Sequence, residues 1–133
     1  MKSKKVDVKL ISDNLRERCP FILFALLTGL GDDGQAKLNE HLELSVFIGS
    51  GTATWHALEQ ILPVISTVVP EPCCDVTMLN RVDVLTRFRA VNGVCLFIRE
   101  GREQYYRRFV QHVTLDYRVI RAQNRKLGII END

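Results

Sequence analysis

The sequence lacks any apolar run long enough to cross a bilayer. Its longest, Phe21 to Leu27, falls far short of the roughly 20 residues a spanning helix needs. Charge of one sign is also scarce: a net charge of +2 gives no electrostatic reason to expect a membrane surface or a nucleic acid as partner. The four cysteines, Cys19, Cys73, Cys74 and Cys95, match no zinc-ligand spacing, so they read as small buried thiols in a reducing compartment. Internal repeats and low-complexity segments are absent. The basic start, Met1-Lys2-Ser3-Lys4-Lys5, is followed by polar residues and lacks the apolar stretch of a secretory signal, which makes the cytoplasm the expected location. What remains is a chain of 133 residues, 46% of them hydrophobic, enough for one domain spanning 1–133 with a real core.

Patterning sets out the elements. Val8, Ile11 and Leu15 recur at helical spacing and predict a helix from Val6 to Arg18. Phe21 to Thr28 is apolar almost without interruption, as in a strand buried on both faces. Gly29 to Glu40, rich in glycine, aspartate and asparagine, reads as a loop. From His41 to Ile48 the chain alternates, placing His41, Glu43, Ser45 and Phe47 on one face and the aliphatic residues on the other. Thr52 is a candidate cap for a helix burying Trp55, Leu58, Ile61, Leu62 and Ile65, with Pro63 expected to kink or end its first part. Pro70 and Pro72 stop it before a strand at Cys73 to Leu79. A helix from Arg81 to Asn92 is expected to bury Val82, Leu85, Phe88 and Val91 and to stop at Gly93 in a left-handed conformation. An edge strand, Val94 to Ile98, precedes a long helix from Arg102 to Lys126 with a seam at Tyr106, Val110, Val113, Tyr117 and Ile120. Trp55, Phe88, Tyr106 and Tyr117 read as core. Alternating strands and helices of this kind predict an α/β or α+β layer on one small sheet.

Four segments in order carry a family resemblance. Phe24-Ala25-Leu26-Leu27-Thr28-Gly29-Leu30 resembles the strand ending in Gly-Ser of the minimal nucleotidyltransferases, and after ten intervening residues His41-Leu42-Glu43-Leu44 stands where that family has Asp-x-Asp. Cys74-Asp75-Val76-Thr77-Met78-Leu79-Asn80 is similar to its Val-Asp-Val-Val-Asp-Leu-Asn run, and Leu85 to Phe97 to its helix, glycine stop and edge strand. Within the family the chain resembles the MntA-like antitoxins encoded beside HEPN toxins. The resemblance implies an α+β, nucleotidyltransferase-like fold: a small mixed sheet of about four strands flanked by helices, with a long C-terminal helix.

It also implies a site drawn to a known plan with altered parts. His41, Glu43 and Asp75 occupy the three carboxylate positions of the catalytic and metal-binding set; Gly29, Leu30 and Gly34 occupy the phosphate loop. Nucleotidyl transfer uses divalent ions held by hard carboxylate oxygens. Asp75 is intact, Glu43 is one methylene longer than aspartate, and His41 offers magnesium a neutral nitrogen in place of charged oxygen. Leu30 replaces the serine that grips phosphate, and Asp32 and Asp33 repel a polyanion.

Each of these residues has a plainer reading: His41 and Glu43 as polar residues on a half-exposed strand, Asp75 as a local cap or ion pair, Asp32 and Asp33 as turn formers. Arg107 and His112 have the Arg-x4-His spacing of HEPN ribonucleases, which is common by chance. The basic face of the last helix reads as a solvated surface or a dock for an acidic partner, and the lack of interleaved exposed aromatics argues against RNA. The expected function is a nucleotidyltransferase-fold pseudoenzyme acting through a HEPN-type protein partner or self-association, using the last helix or the edge strand. The alternatives are an active adenylyltransferase taking ATP with magnesium or manganese, and a nucleotide sensor without turnover.

Overall fold

The computed structural model describes residues 3–5, 7–30, 35–37, 42–69 and 74–128. The elements are β1 (Ser3–Lys5), α1 (Val8–Arg18), β2 (Ile22–Thr28), β3 (Gln35–Lys37), β4 (Leu42–Ile48), α2 (Thr54–Val68), β5 (Cys74–Met78), a 3-10 turn (Leu79–Arg81), α3 (Val84–Val91), β6 (Val94–Ile98) and α4 (Glu103–Lys126). A four-stranded mixed sheet in the order β5-β4-β2-β6 forms the centre, and β1 pairs antiparallel with β3 in a separate ribbon. That ribbon puts a short strand where the sequence predicts only loop; three-residue strands of lysine, serine and glutamine carry no apolar period to announce them.

β2 lies between β4 and β6, antiparallel to both, which explains its nearly unbroken apolar run. Two layers cover the sheet. On one side Ala25, Leu27, Leu44, Val46 and Ile48 pack with Ile11 and Leu15 of α1 and Ala57, Ile61 and Val64 of α2. On the other, Phe24 and Leu26 pack with Leu79 and Ala90 and with the flanks of α3 and α4. Phe24 stacks on Phe47 at 5.1 Å and meets Tyr106 edge-on at 4.9 Å, the offset arrangements that aromatic quadrupoles favour. A bulge in β6 leaves Leu96 without a partner position on β2, and the Ser12 hydroxyl donates to the Leu96 carbonyl at 2.9 Å, tying α1 to the edge strand.

Helix ends follow local chemistry. Asp7 accepts from the Leu10 amide at 3.0 Å at the start of α1, and Asp83 accepts from Thr86 at 2.8 Å at the start of α3. Thr52 is not a cap: α2 begins at Thr54, with Ala53 at the cap position and no side-chain cap bond. Pro63 sits inside α2 without ending it, because Val64 and Ile65 beyond it are anchored in the core. The buried stripe of α2 runs through Ala57, Ile61, Val64 and Ile65, while Trp55 is 66% and Leu62 48% exposed, so the predicted stripe is rotated.

α3 is shorter than predicted and its one fully buried residue is Ala90, with Leu85 exposed. Gly93 is not left-handed; among the described residues the glycines with positive φ are Gly29, Gly101 and Gly128. Cys19 is buried as expected, Cys74 is half-buried and Cys95 exposed; Cys73, Pro70 and Pro72 lie outside the described residues.

Tyr106 joins α4 to β6 through a contact with Cys95. Burial, then the charge and hydrogen bond of Cys95, pushes the Tyr106 phenol from its ordinary 10.0 up to about 12. Burial raises the Cys19 thiol above 9.0, and the partial desolvation of the Cys95 sulfur against Tyr106 raises it in the same direction although the residue is exposed. All three groups are neutral in the native state and ionise more readily in the unfolded chain, so their stabilisation is complete below pH 9 and is lost as pH rises through the folded values. Thermal melts should therefore show a Tm that is flat to about pH 8.5 and falls from about pH 9 to 12. Tyr106→Phe should remove about 1 kcal/mol of that loss, allowing for solvent screening of a half-buried group. A slope unchanged in this variant would assign the alkaline transition elsewhere.

Candidate active site

Strand register builds the site. Thr28 on β2 is paired with Glu43 on β4, and Glu43 with Asp75 on the parallel neighbour β5. Register partners share a face, so Thr28, Glu43 and Asp75 form a row across three strands, with the two carboxylates on chains roughly 5 Å apart. Glu43 is half-buried and Asp75 exposed. One step along β4 on the same face, the Ser45 hydroxyl is fully buried with no hydrogen-bond partner among the described residues. Its register neighbours are Leu26 and Thr77.

The connection from β4 through α2 to β5 creates this juxtaposition. Parallel strands need a crossover, and packing of α2 on the aliphatic face leaves the Glu43 face to the other layer. Residues 32 positions apart thus become neighbours on the sheet, from the 43 and 75 of their numbering.

The loop end of the site is anchored by opposite means at adjacent residues. Gly29 has φ +102°, a conformation that L side chains rarely adopt, and it turns the chain out of β2. Leu30, at the position where the resemblance puts a serine, packs against the apolar cluster beneath α1 and α2. His41, Gly31, Asp32, Asp33 and Gly34 lie outside the described residues. The described donors therefore supply two carboxylates, and no three of the His, Cys, Asp and Glu side chains among the described residues are grouped to hold a metal ion. Glu43 and Asp75 could each give one hard oxygen to a divalent cation; that is a partial fit to the family's three-ligand plan.

Two further concavities lie away from this row. One, about 340 Å³, is lined by Phe47, Asn80, Arg87, Tyr105, Arg108 and His112 among others, toward the other end of β4. Two of its polar side chains are committed to the fold. Asn80 bonds both the amide and the carbonyl of Ile48 at 2.9 Å, and Arg87 donates to the carbonyls of Leu79 and Asn80 at 2.9 and 3.1 Å. The other, about 440 Å³, lies between α3 and α4 against Phe88, Tyr117, Arg118, Arg121 and Arg125. The sequence lists these arginines as a basic face; their repeat at three and four residues was the signal that they share a side. Arg107 and His112 both lie on α4, and of the two only His112 lines the 340 Å³ concavity.

No helix among the described residues is long and apolar enough to cross a membrane. At the level of sequence, no family model and no curated protein matches the chain. Solved structures do match in shape. A toxin-antitoxin MntA-HepT mutant complex superposes with a TM-score of 0.71 at 17% identity, over 92% of this chain and 95% of the other. A toxin-antitoxin crystallised with AMP-PNP matches at 0.69 and 15%, over the same shares of 92% and 95%. A tri-AMPylated Shewanella oneidensis HEPN toxin in complex with MNT antitoxin matches at 0.62 and 14%, over 90% and 94%. Over nearly its whole length, the chain has the α+β, nucleotidyltransferase-like fold of the MntA antitoxins.

Proposed function

We propose that this chain is an antitoxin-type binding module: a nucleotidyltransferase-like scaffold that holds a HEPN-type protein partner and has given up nucleotidyl transfer. The observation that carries the reading is Leu30. Its half-buried side chain packs against the core cluster at the position where the resemblance requires a free hydroxyl beside the phosphates. A leucine seated there has no hydroxyl to offer, and turning it outward would expose further apolar surface, at about 25 cal/mol per Å². The likeness to toxin-antitoxin complexes supports a protein partner, and α4 supplies surface for one. Only Val113 of its 24 residues is fully buried. The edge strand β6, with Val94 45% exposed, is a second surface and suits self-association.

A second reading has a specific observation behind it. The in-register pair Glu43 and Asp75 is the kind of juxtaposition a metal-dependent adenylyltransferase needs, and one similar structure contains AMP-PNP. Titration calorimetry with ATP, in magnesium and then in manganese, separates the two. The binding module gives no heat in either buffer, while size-exclusion chromatography with a co-expressed HEPN protein gives a stable complex that Asp75→Ala leaves intact. ATP binding that requires manganese and disappears in Asp75→Ala would overturn the module reading in favour of a remodelled transferase.

A further inference from the structure

We infer that the groove between α3 and the distal half of α4 docks an acidic amphipathic segment of a partner protein; this rests on the binding-module reading and names the chemistry of what is bound. The geometry begins with length. At 1.5 Å per residue the 24 residues of α4 span about 36 Å, whereas the seven residues of β2 span about 23 Å. The helix therefore outruns the sheet it packs on. Its seam is covered through Val113 and Tyr117 and then continues uncovered, with Ile120 41% and Leu127 74% exposed. Leu115 and Val119 add further exposed apolar surface on the same half.

Beyond Asp116, charge on this half is of one sign. From Tyr117 to Gly128 the chain carries Arg118, Arg121, Arg125 and Lys126 and no acid. Thr114, Arg118, Arg121 and Arg125 follow at spacings of four, three and four, which places them along one side of the helix. That side walls the 440 Å³ groove. Its floor is the Phe88 ring stacked on Tyr117 at 3.7 Å and 2°. Arg118 and Arg125 are exposed, and neither forms an ion pair among the described residues.

These features select the occupant. Exposed Arg118 and Arg125 on that wall complement an acidic partner and repel a second copy of the same surface. Phe88 and Tyr117 turn faces toward each other, which leaves no slot for a base between them, so the stacking that holds single-stranded nucleic acid is not built here. An aromatic floor of Phe88 and Tyr117 beneath an arginine wall instead matches a helix with one apolar and one acidic face.

Fluorescence anisotropy on the full chain tests this. The probes are a labelled peptide of about six turns with leucine on one face and glutamate on the other, its scrambled counterpart, and a labelled single-stranded oligouridine. The amphipathic peptide should bind at least about tenfold tighter than either other probe. Arg118→Glu combined with Arg125→Glu should weaken it by about tenfold or more, while Lys9→Glu, on α1 across the sheet, should leave it unchanged. Both arginines are exposed, so the double variant keeps its fold, which circular dichroism checks. Oligouridine binding tighter than the peptide, peptide affinity that survives the double variant, or no peptide binding overturns the proposal. The two readings fail separately. Peptide binding without capture of a HEPN protein removes the HEPN partner and keeps the surface. A stable HEPN complex with no peptide binding removes the surface and keeps the module.

Discussion

Gly93→Ala is expected to cost about 3 kcal/mol or more, enough to lower Tm by roughly 10 °C. A Cβ at this position would stand 2.6 Å from the Leu27 carbonyl oxygen and 2.6 Å from Thr28 Cγ2, with the Ala90 carbonyl at 3.2 Å. The first of these is backbone of β2, held on both sides by β4 and β6, so it cannot yield without disturbing two strand pairings. The glycine is there to let the α3–β6 connection lie against the end of β2. The backbone conformation itself does not demand it, since φ is not positive. Gly51→Ala makes the control: nothing lies within 4 Å of its added Cβ, and its cost should stay within about 0.5 kcal/mol. Urea denaturation of both variants gives the comparison, and equal midpoints would show that the β2 end gives way easily. Because Thr28 pairs with Glu43, the strain of Gly93→Ala falls on the row that carries the candidate site.

The same glycine marks the limit of what the sequence discloses. Position and type predict that a helix stops there, and it does. Why it must be glycine depends on the approach of a strand some 65 residues earlier, which no local pattern encodes. The strands of the sheet were legible because burial leaves a direct mark: a continuous apolar run for β2 between two neighbours, alternation for β4, a short edge segment for β6. The stripe of α2 was not. Apolar residues populate more than one side of that helix, and the buried side is the one whose small Ala57 admits close packing, while the large Trp55 is left outside. For α4 the periodicity named the seam correctly as far as Tyr117. It could not say where the sheet beneath ends.

The candidate site divides along the same line. Pairing Glu43 with Asp75 followed from the family plan, and the strand register brings them side by side. The Leu30 substitution was visible as a letter, but that its half-buried side chain packs against the α1–α2 core is a tertiary fact. Ser45 was placed on the Glu43 face by alternation; its burial with no hydrogen-bond partner among the described residues was not foreseeable, since it depends on tertiary packing. His41 and Gly34 keep the standing of sequence expectations.

Arg99→Ala carries the second large expected effect, and the sequence gives no hint of it. Arg99 follows the last residue of β6, and its guanidinium donates to three backbone carbonyls: Nε to Ile22 at 3.0 Å, and one Nη each to Arg16 and Cys19 at 2.9 Å. Two of those acceptors lie at the C-terminal end of α1, where carbonyls have no helical partners, and the third opens β2. One side chain thus fastens the α1–β2 turn to the edge strand, 5.2 Å from the Phe97 ring centroid. Burial and the Arg16 charge pull the guanidinium below its usual range, yet far too little to discharge an arginine. Charge-assisted bonds of this kind contribute about 1.5–3 kcal/mol each where water is excluded, and water reaches part of this site. The expected loss is therefore about 3 kcal/mol in urea denaturation. Arg99→Lys separates geometry from charge. An ammonium is a point donor that cannot span three carbonyls, so it should recover less than about half of the loss. Full recovery in Arg99→Lys would mean that charge near the end of α1 matters and the fork does not. Arg16→Ala removes only a second cation near the same ring and should cost about 0.5 kcal/mol. The ordering Arg99→Ala, Arg99→Lys, Arg16→Ala follows from counting the guanidinium–carbonyl bonds lost, and it holds whatever the site at Glu43 and Asp75 does.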